Sequence, residues 1–356
     1  YDVDTTPFKC LDYTHGEVAL VSGGKSFEVF VSPYSLGCDV PAEVVAVSSV
    51  EELEDCRPEG KILLMNGAIC AEQLMPKNFV FYNPEHHQKT IALLERKKPA
   101  AIITATVQNP ELVGALYPFP LIVDGDFNIP VAYCTDRVGE EIVRHSRGDF
   151  RLYIQAERLP STASNVIARK NPGATAKIVI TAHIDAYEDT PGASDNASGT
   201  VILMLLAEML SGYQGEVGVE IAAFNGEDHY SAGGQMDYLD RYRNDLDKII
   251  VVINVDDVGY IKGRSTYSLY GCPPDMLKKV ESAFDEYNGI IEGEPWFNGD
   301  HMIFVQSGVP SIAFTAELMP ELMATVTHTP ADRPELVDPQ RLVEVARALE
   351  SLVSRF

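Results

Sequence analysis

The sequence predicts an α/β fold, a helix-sheet-helix domain with a largely parallel mixed sheet joined to a smaller α/β module. Three observations carry that expectation. Continuously apolar runs of strand length, such as Ala176-Lys-Ile-Val-Ile-Thr-Ala182, alternate with longer helical patterns, as strands buried on both faces do. Hydrophobic residues make up 46 % of the chain, the share of packed globular cores. A length of 356 residues set against about 150 per domain gives about two domains.

In chain order, residues 1–43 carry short alternating runs, Gly16-Glu-Val-Ala-Leu-Val21 and Phe27-Glu-Val-Phe-Val31, punctuated by Ser22-Gly-Gly24 and Ser32-Pro33. They predict a small N-terminal β segment. Residues 44–156 read as Glu43-Val-Val-Ala-Val47, Lys61-Ile-Leu-Leu-Met65, a helix around His87 to Lys97, Ala100-Ala-Ile-Ile-Thr104 and Ile129-Pro-Val-Ala-Tyr133, a compact α/β module of its own. Leu159-Pro-Ser-Thr-Ala163 and Lys170-Asn-Pro-Gly173 mark the return into a domain spanning 160–356. There the first apolar strand is followed by the helical pattern Thr200 to Leu210, and Val217 to Phe224, Ile249 to Ile253 and Pro310 to Thr315 are further strands. A last helix begins with Asp338 as N-cap and Pro339 in its first position and runs through Leu349. No internal repeat or low-complexity tract interrupts the chain.

The charge excludes whole classes of partner. With 52 acidic and 28 basic residues the net charge is -24, a field that repels phosphate backbones and anionic lipid surfaces, so neither nucleic acid nor membrane is an expected partner. The longest apolar runs, such as Lys248-Ile-Ile-Val-Val-Ile-Asn254, fall well short of the roughly 18 residues that span a bilayer. Six dispersed cysteines (Cys10, Cys38, Cys56, Cys70, Cys134, Cys272) offer neither a zinc pair nor a disulfide framework. They predict mostly buried thiols and a cytoplasmic protein, with secretion the alternative if a segment upstream of Tyr1 has been removed.

In an open α/β sheet, ligands bind beyond the carboxyl ends of the strands. Three strands end there in metal-capable groups: His183-Ile-Asp185 leading to Asp195-Asn196, then Glu227-Asp228, then Asp256-Asp257. A single acidic residue after a strand is most often a helix cap. Three such groups converging on one rim would repel one another unless cations lay between them. Imidazole with several carboxylates and no cysteine suits zinc, manganese or cobalt at a hydrolytic centre. His183 and Asp185 lie two apart on an extended segment and face the same way, so the Asp185 carboxylate is expected to orient the imidazole. Asp256 and Asp257 face opposite ways, which leaves one of them for a metal.

These residues resemble a family. His183-Ile-Asp185, Pro191-Gly-Ala-Ser-Asp-Asn-Ala-Ser-Gly199, Asn225-Gly-Glu-Asp228, Asn254-Val-Asp256 and Thr327-His-Thr329 look like the successive motifs of the co-catalytic zinc aminopeptidases, metallopeptidase family twenty-eight, over about residues 160–356. The module at 44–156 is similar in pattern to the protease-associated domain often joined to that peptidase. The resemblance implies that Asp195 bridges two zinc ions, with His183 and Asp256 completing one site and Asp228 and His328 the other, cobalt or manganese being possible substitutes. It implies that Glu227 is the general base, taking a proton from a metal-bridging water, in an enzyme that removes amino-terminal residues from peptide substrates. Two departures stand out: Asp228 occupies a position where Glu is commoner, and Thr327 stands where well-known aminopeptidases have a tyrosine that helps stabilise the oxyanion. His301 of Gly299-Asp-His301 is the substitute donor the sequence suggests.

Other features read more plainly. His86-His87, at the start of a helix, is expected to be solvated surface. Gly192, Gly199 and Gly226 are expected in tight turns near the site, and Trp296-Phe297 to line a side-chain pocket or to be core. A carboxypeptidase or glutaminyl cyclase-like enzyme, or a receptor-like member without activity, are the rival functions. The last should lack ligands, and all five are present together with the base.

Overall fold

A computed structural model describes every residue of the chain except Glu111 and Arg147. The chain divides into two compact units, Lys9–Ser161 on one side and Tyr1–Phe8 with Thr162–Phe356 on the other.

After β1 (Asp2–Asp4), which belongs to the second unit, the strands β2 (Pro7–Ser22), β3 (Lys25–Phe27), β4 (Phe30–Val31), β5 (Cys38–Ala42), β6 (Val44–Val47), β7 (Ile62–Met65), β8 (Ala101–Thr106), β9 (Val131–Thr135) and β10 (Phe150–Ser164) follow, with helices α1 (Val50–Asp55), α2 (Glu85–Lys97) and α3 (Asp136–His145) between them. Among the described residues they form a sheet ordered β4-β9-β8-β7-β6, parallel from β6 to β9, and a second ordered β3-β2-β10-β5. The segment 1–43 holds β1 to β5, and of these β1, β2, β4 and β5 pair with strands later in the chain. A lone ribbon with one apolar face is not stable by itself, and its strands find partners in β9 and β10.

The second unit is built on a sheet ordered β1-β11-β13-β12-β14-β17-β15-β16, counted over the described residues. Its strands after β1 are β11 (Val166–Lys170), β12 (Lys177–His183), β13 (Gly218–Phe224), β14 (Ile249–Val255), β15 (Ser265–Tyr270), β16 (Ile290–Glu292) and β17 (Ser311–Ala316). The four central strands, β13, β12, β14 and β17, are parallel, and antiparallel pairs flank them. Helices α4 (Ser198–Met209), α5 (Gly233–Tyr242), α6 (Pro274–Phe284), α7 (His301–Gln306), α8 (Met319–Thr325) and α9 (Pro339–Val353) surround it.

Strand alternation decides which face each helix covers. Ile178, Ile180 and Ala182 of β12 join Leu203 and Leu206 of α4, Val280 of α6 and Val345 and Leu349 of α9 in one core, each large side chain contributing about 1.5–3 kcal/mol by burial. On the opposite face Phe224 packs edge-on against Tyr238 of α5, ring centroids 5.3 Å apart, and lies 6.4 Å from Phe304 of α7. The helix α9 begins as expected: Asp338 accepts the Gln340 N–H at 2.9 Å. The cysteines are free, with Cys70 and Cys134 buried and the other four only half-buried. Among the described residues no helix is long and apolar enough to cross a membrane.

Candidate metal centre

The parallel register brings three strand ends to one rim. His183, last in β12, is paired with Phe224, last in β13, so the turn from Asn225 to Asp228 leaves the sheet beside it. The neighbouring β14 ends at Val255 and delivers Asp256. Asp195 comes from a short helical turn, Ala193–Ala197, ahead of α4, and His328 follows α8 with its backbone in the left-handed region at φ 59.

At the middle of the rim the Asp195 carboxylate is divided between two histidines. Its Oδ1 lies 3.0 Å from His183 Nε2 and its Oδ2 lies 3.1 Å from His328 Nε2. Asp256 Oδ1 stands 3.3 Å from the same His183 nitrogen, and Asp228 Oδ1 stands 2.8 Å from the His328 nitrogen. Two imidazole-carboxylate groups thus share one carboxylate.

This set fits cations. His183 Nε2, Asp228 Oδ2 and Asp256 Oδ1 are buried without a protein hydrogen bond, a costly state for polar atoms that an ion between them relieves. Ligand atoms of His183, Asp195 and Asp228 lie within 4.8 Å of one another. His183 Nδ1 is 3.1 Å from the Asp185 carbonyl oxygen and donates to it, which leaves the Nε2 lone pair turned inward, the tautomer a metal-bound imidazole needs.

Asp185 has a different job from the one its spacing suggests. Its carboxylate is 3.7 Å from His183 Nδ1, beyond hydrogen-bond reach, and its own carbonyl orients the ring. The reason is local: beyond β12 the chain runs beside the turn that follows β13, whose N–H groups offer the carboxylate nearer partners than the imidazole. The carboxylate turns to the neighbouring loop, where it accepts the N–H groups of Gly226 at 2.7 Å, Glu227 at 3.1 Å and Asp228 at 3.0 Å. Asp332 does the same for the other loop, accepting from Ser194 at 2.7 Å and Asp195 at 3.1 Å.

The electrostatics reflect crowded burial. Loss of water, reinforced by Asp228, Asp256 and Asp300, drives the Glu227 carboxyl well above the usual carboxylate range. Burial and Asp195 lift Asp228 to about 6. Burial raises Asp195 too, but the two imidazoles beside it, as charged partners, outweigh that and pull it down. Burial opposes charge on both histidines, yet the carboxylates around them push each well above its ordinary value. Among the described residues no protein donor engages the Glu227 carboxylate, and no lysine or arginine pairs with a carboxylate of the centre.

Several expectations need correction. His301 is fully buried; its Nε2–H is spent on the Trp296 carbonyl at 3.0 Å, and burial pulls it down to about 4. A neutral ring in that tautomer has no second proton to give an oxyanion. Trp296 is core, edge-on to His301 with centroids 4.4 Å apart, while Phe297 is exposed. His87 is not solvated surface: it is 2 % exposed and faces inward on α2, and only His86 is open. Glu72 Oε1 lies 3.1 Å and 3.2 Å from their Nε2 atoms, but His87 Nδ1 accepts the Met75 N–H at 3.2 Å. That fixes the proton on Nε2, where a metal would need a lone pair. Gly192 and Gly226 do take positive φ, whereas Gly199 is helical, and what it needs is room: a Cβ would meet Val255 O at 2.5 Å.

The sequence profile described as peptidase family M28 matches residues 165–353. The chain is 24 % identical over 339 residues to "Probable lipoprotein aminopeptidase LpqL" of Mycobacterium tuberculosis, covering 87 % of this chain and 64 % of that protein. Curated relatives are thus matched over less than two thirds of their length. Among solved structures, the aminopeptidase of Aneurinibacillus sp. strain AM-1 superposes with a TM-score of 0.74 at 22 % identity, over 100 % of this chain and 84 % of the other. A zinc aminopeptidase from Bacillus subtilis gives 0.69 at 22 %, over 99 % and 84 %. The fold is shared with both, and the profile match runs through every strand and turn that bears a residue of the rim: the chain belongs to peptidase family M28.

Proposed function

We propose that the chain is a two-zinc exopeptidase that removes amino-terminal residues from peptides, with cobalt or manganese able to replace zinc. The observation that carries the proposal is the division of Asp195 between His183 with Asp256 and His328 with Asp228, which offers two adjacent cation positions sharing one carboxylate. That the Bacillus subtilis neighbour is a zinc aminopeptidase supports the choice of metal. Bound ions of this kind supply Lewis acidity, polarising a carbonyl and acidifying water.

The chain's own groups do the rest. Glu227, beside the ligand Asp228 yet free of protein donors among the described residues, takes the proton of the attacking water and passes it to the leaving amine. Asp185 and Asp332 hold the two ligand-bearing loops by their main chains. A substrate ammonium suits a rim whose charged side chains are carboxylates and histidines better than a substrate carboxylate, which would ask for a lysine or arginine. The unit Lys9–Ser161 is proposed to be a protease-associated-like module that tunes selectivity among long peptides without contributing catalytic groups.

The test is a panel of amino-acid anilides and amino-blocked peptides, run with metal content measured on the same preparations. Hydrolysis of free-amino substrates with two metals per chain is expected. Turnover of blocked substrates from their carboxyl ends, or amino-terminal glutamine cyclisation, would replace this reading with one of its rivals.

A further inference from the structure

We infer that Tyr187 is a positioning residue for His328, its ring doing by stacking what a hydrogen bond does for the other histidine of the centre. The inference rests on the two-metal reading given above.

The two histidines are held in different ways. His183 is buried, and its Nδ1 is tied to the Asp185 carbonyl at 3.1 Å. His328 is 27 % exposed in its side chain, its backbone has left the helical region at φ 59, and among the described residues no hydrogen bond reaches its Nδ1. Rotation of an imidazole about its second side-chain torsion is broad and only weakly restrained on its own. A metal-binding histidine normally loses that freedom by giving its second N–H to a partner.

For His328 the contact that removes it is a flat one. The Tyr187 ring lies parallel to the imidazole, centroids 4.6 Å apart and planes 12° apart, within the range of offset aromatic stacking. Tyr187 is itself fixed: its carbonyl accepts both the N–H of Thr190 at 3.2 Å and the Thr190 hydroxyl at 2.7 Å, closing a turn just after the His183-Ile-Asp185 segment. A rigid turn therefore carries an aromatic plate onto the outer face of the ligand. The inner edge of the same ring meets Asp195 and Asp228. Tilting the ring would spoil one cation position and leave the His183 position intact.

The experiment compares the wild type with Tyr187→Phe and Tyr187→Leu as purified full chains. Metal affinity is read by chelator competition, and site geometry by the visible spectrum of the cobalt-loaded forms. The Phe variant should hold both metals within about twofold of wild type, because the plate remains. The Leu variant should lose about 10- to 100-fold in affinity at one site only, the usual cost of removing the group that orients a ligand, with a changed cobalt spectrum. In a His328→Ala background Tyr187→Leu should have no further effect. Melting of the metal-stripped forms checks folding, and Tyr187→Met, similar in size but without a flat face, carries the same expected loss should the Leu variant not fold. Unchanged affinity and spectrum in the Leu or Met variant, or an equal loss in the Phe variant, overturns the inference while leaving the centre in place. A wild-type chain that binds no metal overturns the centre itself, and the inference with it.

Discussion

Asp185 grips Glu227 by its main chain: Oδ1 accepts the Glu227 N–H at 3.1 Å, while the same carboxylate takes the N–H groups on either side at 2.7 Å and 3.0 Å. The loop that carries the proposed general base and its neighbour Asp228 is thus held by three main-chain hydrogen bonds to one carboxylate.

Asp185→Asn keeps one acceptor oxygen but turns an NH2 group towards the Asp228 N–H. Leaving that donor unmet costs about 1–3 kcal/mol. Urea unfolding should register the loss, and affinity at the site that includes Asp228 should weaken with it.

Asp195 is the shared carboxylate, so its loss is felt on both sides. Asp195→Ala should release both metals or leave them weakly held, and abolish hydrolysis. Elemental analysis after dialysis checks this; two retained ions with ordinary turnover would remove Asp195 from the bridging role.

Glu227→Gln separates proton transfer from metal binding. It preserves shape and removes the basic oxygen, so metal content should stay at the wild-type level while kcat falls about 10²- to 10⁴-fold. Asp228→Asn should do the reverse, weakening one metal first. Steady-state kinetics beside metal analysis of the two variants distinguishes them.

The titration shifts give a pH dependence with a definite sign. Without metal, His183 and His328 titrate well above their ordinary value in the folded chain, and Asp228 is raised to about 6. Groups raised by folding stabilise below their unfolded values and lose that contribution as pH climbs through the folded ones. Chelator-stripped protein should therefore become less stable as pH rises from about 4 through neutrality. Metal uptake displaces these protons, so the gap in Tm between loaded and stripped protein should widen with pH. Calorimetry in two buffers of different ionisation enthalpy measures the protons released.

What the sequence makes legible follows from chemistry that is local in the chain. β12, β13, β14 and β17 are readable because strands buried on both faces are largely apolar, Glu220 of β13 being an exception, and the polar residues at or just after the ends of three of them stand out against that background. β15, Ser265-Thr-Tyr-Ser-Leu-Tyr270, is not readable, since its buried hydroxyls depend on remote partners: Ser268 donates to the Glu294 carbonyl at 2.8 Å and Thr266 to the Thr315 carbonyl at 3.3 Å. Asp332 escapes notice for the same reason, although it stands four residues after His328, because the N–H groups it serves belong to Ser194 and Asp195. The inward placement of His87 had a signal: positions 87, 90, 91 and 94 of α2 share a face, and all four are buried.

The pairing of His183 with Phe224 at the ends of two parallel strands fixes the alignment on which the rim depends. Sliding β12 by a single residue against β13 displaces the histidine by about 3.3 Å and turns it to the other side of the sheet, out of reach of both Asp195 and Asp256. On the two-metal reading, ion binding would report strand alignment: chains refolded with a slipped sheet should carry no metal after desalting, while correctly aligned ones keep it, which elemental analysis distinguishes.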